Sequence, residues 1–109
     1  MIYELRMYDA VPGKLPALNQ RFAEVTLRLF EKHGLKVVGF WQTSVGENTT
    51  NRLTYMLAFD DDAQRASAWA SFLGDPERQR AFAESEKDGP IVERITNQIL
   101  RPTPYSPLK

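Results

Sequence analysis

Ile2-Tyr3-Glu4-Leu5-Arg6-Met7-Tyr8 opens the chain and reads as a β-strand. Side chains alternate along a strand, so Tyr3, Leu5 and Met7 share one side and Ile2, Glu4, Arg6 and Tyr8 the other. The first set is apolar. The second carries an acid, a base and a phenol at alternate positions. Breaking a buried ion pair costs several kcal/mol, a large part of the roughly 5–15 kcal/mol that holds a small domain together. Glu4 and Arg6 inside a sheet must therefore be paired, reach water in a cleft, or lie at an interface.

Outward from this strand, Asp9-Ala10-Val11-Pro12-Gly13 reads as a turn. Leu15, Leu18, Phe22, Val25 and Leu29 then recur at spacings of three and four, which predicts a helix from about Lys14 or Pro16 to Lys32. Pro16 suits its first turn, and Gly34 suits a left-handed C-terminal cap. Leu35 to Val45 reads as a second strand, with Gly39 marking a bulge or a close approach by another group. After the polar turn 46–51, Arg52 to Phe59 forms the third strand of an antiparallel hairpin. Asp60-Asp61-Asp62 starts a helix that directs Ala63, Ala66, Trp69 (or Ala70) and Phe72-Leu73 inward and ends at Gly74. Asp75-Pro76 caps another, from Pro76 to about Glu86, expected to cover an edge. Ile91 to Leu100 is the last strand.

The order βαββαβ, with the second helix broken in two, predicts a ferredoxin-like α+β sandwich: a four-stranded antiparallel sheet with helices on one face and the first and third strands central. Strands two and three carry large apolar residues on both parities, Val37, Trp41 and Tyr55 on one and Val38, Phe40 and Met56 on the other. Two apolar faces and one helical layer imply a partner for the open face, and a homodimer pairing sheet against sheet is the economical solution.

The 109 residues fit one domain, residues 1–102, with 103–109 as an extended proline-rich tail. Lys plus Arg and Asp plus Glu are 14 each, so net charge gives no reason to expect nucleic acid or an anionic membrane as partner. There is no cysteine, hence no disulfide or thiolate chemistry, and with a single histidine no metal site or cofactor is expected. No apolar run approaches the roughly 20 residues that span a bilayer. A strand beginning at residue 2 leaves no room for a leader, and the expected location is cytoplasmic.

Tyr3-Glu4-Leu5-Arg6, Pro12-Gly13-Lys14 and Glu31-Lys32-His33-Gly34 before Val38-Gly39-Phe40-Trp41 together resemble the NIPSNAP family. Gly46, Asn51, Asp75-Pro76-Glu77 and Ile99-Leu100-Arg101-Pro102 before Ser106-Pro107-Leu108 agree, so the resemblance runs through nearly the whole chain. Two positions depart from the family pattern: Arg78 stands where a tryptophan is usual, and Thr54-Tyr55-Met56 replaces an aromatic-rich run. The resemblance implies a dimeric α/β barrel. It assigns no reaction, since superfamily relatives include cofactor-independent monooxygenases, haem-degrading enzymes, isomerases and lyases.

Two function classes follow. In the first, a small aromatic or carboxylate ligand binds in a pocket between sheet and helices. Arg6 takes an anionic or carbonyl oxygen, Glu4 orients it or moves a proton, and Tyr8 donates a hydrogen bond. Trp41, Tyr55 and Trp69 line the pocket, Asn97 adds a polar contact, and His33 is a further candidate acid or base. The chemistry available to such groups is proton transfer or cofactor-independent oxidation of a small aromatic compound. In the second, Glu4–Arg6–Tyr8 is a structural or interface network, His33 serves the helix dipole, the aromatics are core, and the protein is a non-catalytic homodimeric interaction module. The other charges on residues 14–32 and 76–87 read as solvated helix faces.

Overall fold

The computed structural model describes residues 1–109. Strand β1 (Ile2–Ala10) is followed by helix α1 (Leu15–Arg21), a π-helical turn (Phe22–Thr26) and helix α2 (Leu27–Lys32). Strands β2 (Lys36–Gln42) and β3 (Arg52–Phe59) form the hairpin. Helices α3 (Asp62–Leu73) and α4 (Pro76–Ser85) and strand β4 (Val92–Leu100) complete the chain. The sheet order is β2-β3-β1-β4 with every pair antiparallel, the ferredoxin-like arrangement expected, with β1 and β3 in the centre. No helix is long and apolar enough to cross a membrane.

The helices pack on the face carrying Ile2, Tyr8 and Ala10 of β1 and Leu53, Tyr55, Leu57 and Phe59 of β3. This is the parity that also holds Glu4 and Arg6, so the charged row lies under the helical layer. The register sets Arg6 beside Tyr55 and Asn97, Glu4 beside Leu57 and Ile99, and Tyr8 beside Leu53 and Ile95. Tyr3, Leu5 and Met7 face the other way. Gly39 fulfils both expectations. The β2–β3 register shifts between Val37 and Gly39, and a Cβ at Gly39 would meet the Trp41 ring at 2.8 Å.

Several local expectations are corrected. The first helix is not uniformly α-helical: at its centre the Leu27 N–H reaches the Phe22 carbonyl, adding one residue to the turn. That residue rotates the stripe that follows it, so Thr26 and Phe30 are buried while Val25 is only partly covered; Arg21, ahead of the turn, is buried as well. On α3, Ala63 and Ala66 are exposed and Ala68 and Phe72 are buried, because Arg65 and Trp69 turn inward to reach Glu4. Helix α4 packs on α3 and the π-helical turn. Strand β2 stops at Gln42 rather than Val45. The tail is not simply extended: the Ser106 N–H bonds the Thr103 carbonyl at 3.1 Å, and Pro102, Ser106 and Leu108 line a shallow groove on the open face with Tyr3, Met56 and Leu100.

Candidate functional site

Glu4 is the point on which the charged groups converge. Its side chain is 0% exposed. Oε1 accepts from Arg65 Nε (2.8 Å) and Trp69 Nε1 (2.8 Å). Oε2 accepts from Arg6 Nη1 (2.8 Å), Arg65 Nη2 (3.0 Å) and Asn97 Nδ2 (3.0 Å). Burial taken alone raises the Glu4 pKa, but the hydrogen bonds from Arg65, Asn97, Trp69 and Arg6 together outweigh it and bring the value down to about 2. Glu4 is therefore a permanent anion whose lone pairs are all engaged. As a base it is weak, and its geometric effect is to fix the Arg6 guanidinium.

Arg6 distributes its remaining donors over two phenols. Nε donates to the Tyr55 hydroxyl (2.8 Å) and Nη2 to the Tyr8 hydroxyl (3.2 Å), while the guanidinium lies 4.5 Å over the Trp69 ring. Burial lowers the Arg6 pKa, and the Tyr55 and Tyr8 oxygens with the Glu4 carboxylate more than reverse this, so Arg6 is always charged. Burial, followed by the neighbouring Tyr8 oxygen, raises the Tyr55 pKa well above the ordinary phenol value, and Tyr55 stays neutral. The direction of the phenol chain follows from satisfaction of donors. Tyr55 is 0% exposed and has hydrogen bonds only to Arg6 and Tyr8. Since it accepts from Arg6, its own proton must go to Tyr8, 2.9 Å away. Tyr8 thus accepts twice, and its own O–H is left to point elsewhere.

Tyr8 also lines a cavity of about 170 Å³ between sheet and helices, together with Arg6 and with Phe22, Phe30, Trp69, Phe72 and Phe82. Ile95 and Leu73, both about half exposed, stand at its rim. Two further arginines line it. Arg21, with a side chain 6% exposed, bonds Ser85 Oγ (3.2 Å) and Glu86 Oε2 (3.0 Å), and Arg78 stacks on Phe82 at 4.4 Å.

The structure brings Glu4, Arg6, Tyr8, Tyr55, Trp69 and Asn97 into one network. It does not bring in Trp41, which pairs with Thr54 on the open face and is 51% exposed. Being adjacent in register to Phe40, which stacks on Tyr55 at 5.0 Å, it has the opposite parity. His33 also lies apart. It caps α2, with Nδ1 2.6 Å from Ser71 Oγ and Nε2 2.7 Å from Asp75 Oδ2, and contacts no member of the Glu4 network. Asp75 meanwhile caps α4 through the Glu77 N–H and binds Lys32. The His33 hydrogen bond first, then Lys32, holds its pKa below the ordinary carboxylate value.

The sequence reading places Arg21 and Arg78 on solvated helix faces and assigns Arg65 no role. A signal is present for each: Arg65 precedes Trp69 by four residues and Arg78 precedes Phe82 by four, which places each pair on one helix face, and Arg21 follows the buried Leu18 by three.

The NIPSNAP family model matches residues 3–107. The chain belongs to the NIPSNAP family. Among solved structures it is similar to a NIPSNAP-like domain protein from Burkholderia xenovorans, with 26% identity over 97% of this chain and 88% of that one and a TM-score of 0.83. It is also similar to Atu4242 from Agrobacterium tumefaciens, a NIPSNAP protein of unknown function, with 26% identity over 100% of both chains and a TM-score of 0.85. Atu5224 from the same bacterium, at 22% identity over 99% and 98% of the two chains and a TM-score of 0.86, shares the fold. No curated protein matches the chain significantly. The NIPSNAP resemblance read from the motifs therefore holds over almost the full length.

Proposed function

We propose that this NIPSNAP protein binds a small molecule in the cavity between sheet and helices, with Arg6 and Tyr8 as its polar floor. The observation that carries the reading is the unspent Tyr8 O–H, oriented by Arg6 and Tyr55, at the edge of a mostly apolar chamber. An apolar cavity of roughly 150 Å³ accepts a benzene-sized molecule, so about 170 Å³ suits one ring or a short acyl chain bearing an oxygen for Tyr8. Glu4 acts as a positioning residue. With Glu4 saturated and His33 elsewhere, no free base faces the cavity, and the reading is of a binding protein; the proton transfer or cofactor-free oxidation expected from the sequence has a donor here but no acceptor.

The test uses fluorescence. Trp41→Phe leaves Trp69 as the sole tryptophan, against the cavity wall. Titration with small aromatic carboxylates and ketones should change its emission saturably, and Tyr8→Phe should weaken that binding about tenfold, the loss of one hydrogen bond aimed by a charge. No saturable change across the series, or equal affinities with and without the Tyr8 hydroxyl, would contradict the proposal.

A second reading, the homodimeric interaction module, draws on the open face. Leu5, Met7, Val38 and Trp41 stand there without a helical cover, and the tail shields only the end near Tyr3. We propose that a second copy covers the remainder. Light scattering should give twice the chain mass at micromolar concentration, and a clean monomer would sink the idea.

A further inference from the structure

Three arginines line the cavity and no carboxylate does. Their charges are not equally compensated. Arg6 shares the Glu4 carboxylate with Arg65, and Arg21 is paired with Glu86. Every other carboxylate near α4 is engaged: Asp75 with Lys32 and His33, and Glu77 with Arg28. Arg78 has no ion pair and no hydrogen bond. Its guanidinium rests against Phe82 at 4.4 Å and Phe72 at 5.2 Å, and its Nε is buried without a partner. The buried Arg21 Nε, on the same cavity, is also without a partner. Aromatic stacking accounts for the plane of Arg78, but a ring face accepts no in-plane N–H, and buried donors in native proteins have acceptors.

We infer that the cavity takes a small organic monoanion, a carboxylate on a single ring or short acyl chain, whose carboxylate is received by the Arg78 guanidinium and the Tyr8 hydroxyl while its body packs among Phe22, Phe30, Phe72 and Phe82. This rests on the cavity reading proposed above and names its ligand class. It moves the anion seat from Arg6 to Arg78, because a cation already paired with a buried carboxylate has less attraction to offer than one with no counterion. Arg78 is the one arginine of the cavity with no ion pair, which suits a single carboxylate. A planar carboxylate also matches the paired donors of a guanidinium. Burial and the neighbouring Arg21 lower the Arg78 pKa by more than Tyr8 and Glu86 raise it.

Arg78→Met tests this, since Met keeps an apolar stem against Phe82 and removes the charge. Binding of benzoate and butyrate, of the matched neutral benzamide and butyramide, and of inorganic phosphate is measured by calorimetry on the full chain. The acids should bind at least tenfold more tightly than their amides in the native protein, and this preference should collapse to within about twofold in Arg78→Met while amide binding persists. Equal affinity of acid and amide in the native protein, or a preference that survives Arg78→Met, overturns the inference but leaves the cavity reading intact. Tighter binding of phosphate than of either acid overturns the ligand class. Absence of binding by all five overturns both readings. A second readout needs no ligand: removing a half-buried charge that has no ion pair should leave the melting temperature of Arg78→Met equal to that of the native protein or a few degrees higher. A fall of more than about 5 °C would assign Arg78 to packing and overturn the inference.

Discussion

Replacing Glu4 by Gln keeps the shape of the side chain and removes the charge on which two arginines depend. Oε1 accepts two hydrogen bonds and Oε2 three, so whichever oxygen becomes an amide nitrogen, at least two donors lose their acceptor. Two routes give the magnitude. Removing one partner of a buried ion pair costs about 3–5 kcal/mol. Independently, a carboxyl whose pKa moves from 4.5 to about 2 on folding carries about 3 kcal/mol of stability at neutral pH. The sign is that of a depressed pKa. The contribution is complete above the unfolded value of 4.5 and disappears as pH falls through about 2. Urea unfolding followed by tryptophan fluorescence reads it directly. With a slope of about 1.5 kcal/mol per molar urea, the Glu4→Gln midpoint at pH 7 should lie about 2 M below the native one. At pH 3 the gap should shrink to about 1 kcal/mol, because protonation has then removed most of the native advantage. Asp9 and Asp75, whose pKa values are also depressed, titrate in both proteins and cancel in the difference. A loss below 1 kcal/mol at pH 7, or a gap independent of pH, would refute the reasoning.

Further outcomes follow from the same contacts. Tyr55→Phe strips the buried Arg6 Nε of its acceptor and Tyr8 of its donor, and should cost about 1–3 kcal/mol in thermal unfolding; a change under 0.5 kcal/mol, taken as about half the lower limit, would show that the phenol chain is not holding Arg6. Asp61→Ala removes the side-chain acceptor for the Gln64 N–H at the start of α3 and should cost about 1 kcal/mol, whereas Asp60→Ala, one residue outside the cap, should be neutral. Trp41→Lys places a charge on the open face, on its β2 edge strand, and should yield a folded monomer by light scattering; an unchanged dimer would place the interface elsewhere. Asp75→Asn can still cap α4 but no longer attracts Lys32 and His33, so it should lower the melting temperature at pH 7 and lose that deficit as pH falls below the ordinary aspartate value of 3.8.

The fold was legible because its signals are redundant. Strand alternation in β1, the α1 stripe, the Gly34 cap, the Gly39 bulge and the Asp75-Pro76 start each report local geometry, and only one topology joins them without crossing. The Glu4–Arg6–Tyr8 row was also legible, since charge at alternate positions of a central strand needs an explanation wherever the strand lies. What surrounds the row was not. Its partners arrive from up to 93 residues away, as with Asn97 on Glu4, and nothing local marks such a contact. Trp41 was grouped with the inward Val37 because alternation counted along the strand ignores the bulge between Val37 and Gly39, which moves Trp41 to the other face. Arg21 looked solvated because it is a charge beside the apolar stripe, yet it follows the buried Leu18 by three residues and lies on the same side of α1.

The cavity and its ligand are tested most directly by a crystal structure of the protein soaked in benzoate. The ring should lie among the phenylalanines, with one carboxylate oxygen within hydrogen-bond distance of the Tyr8 hydroxyl and the other on the Arg78 guanidinium. A cavity filled by water or by a shifted side chain, with benzoate absent or bound only on the surface, would contradict it.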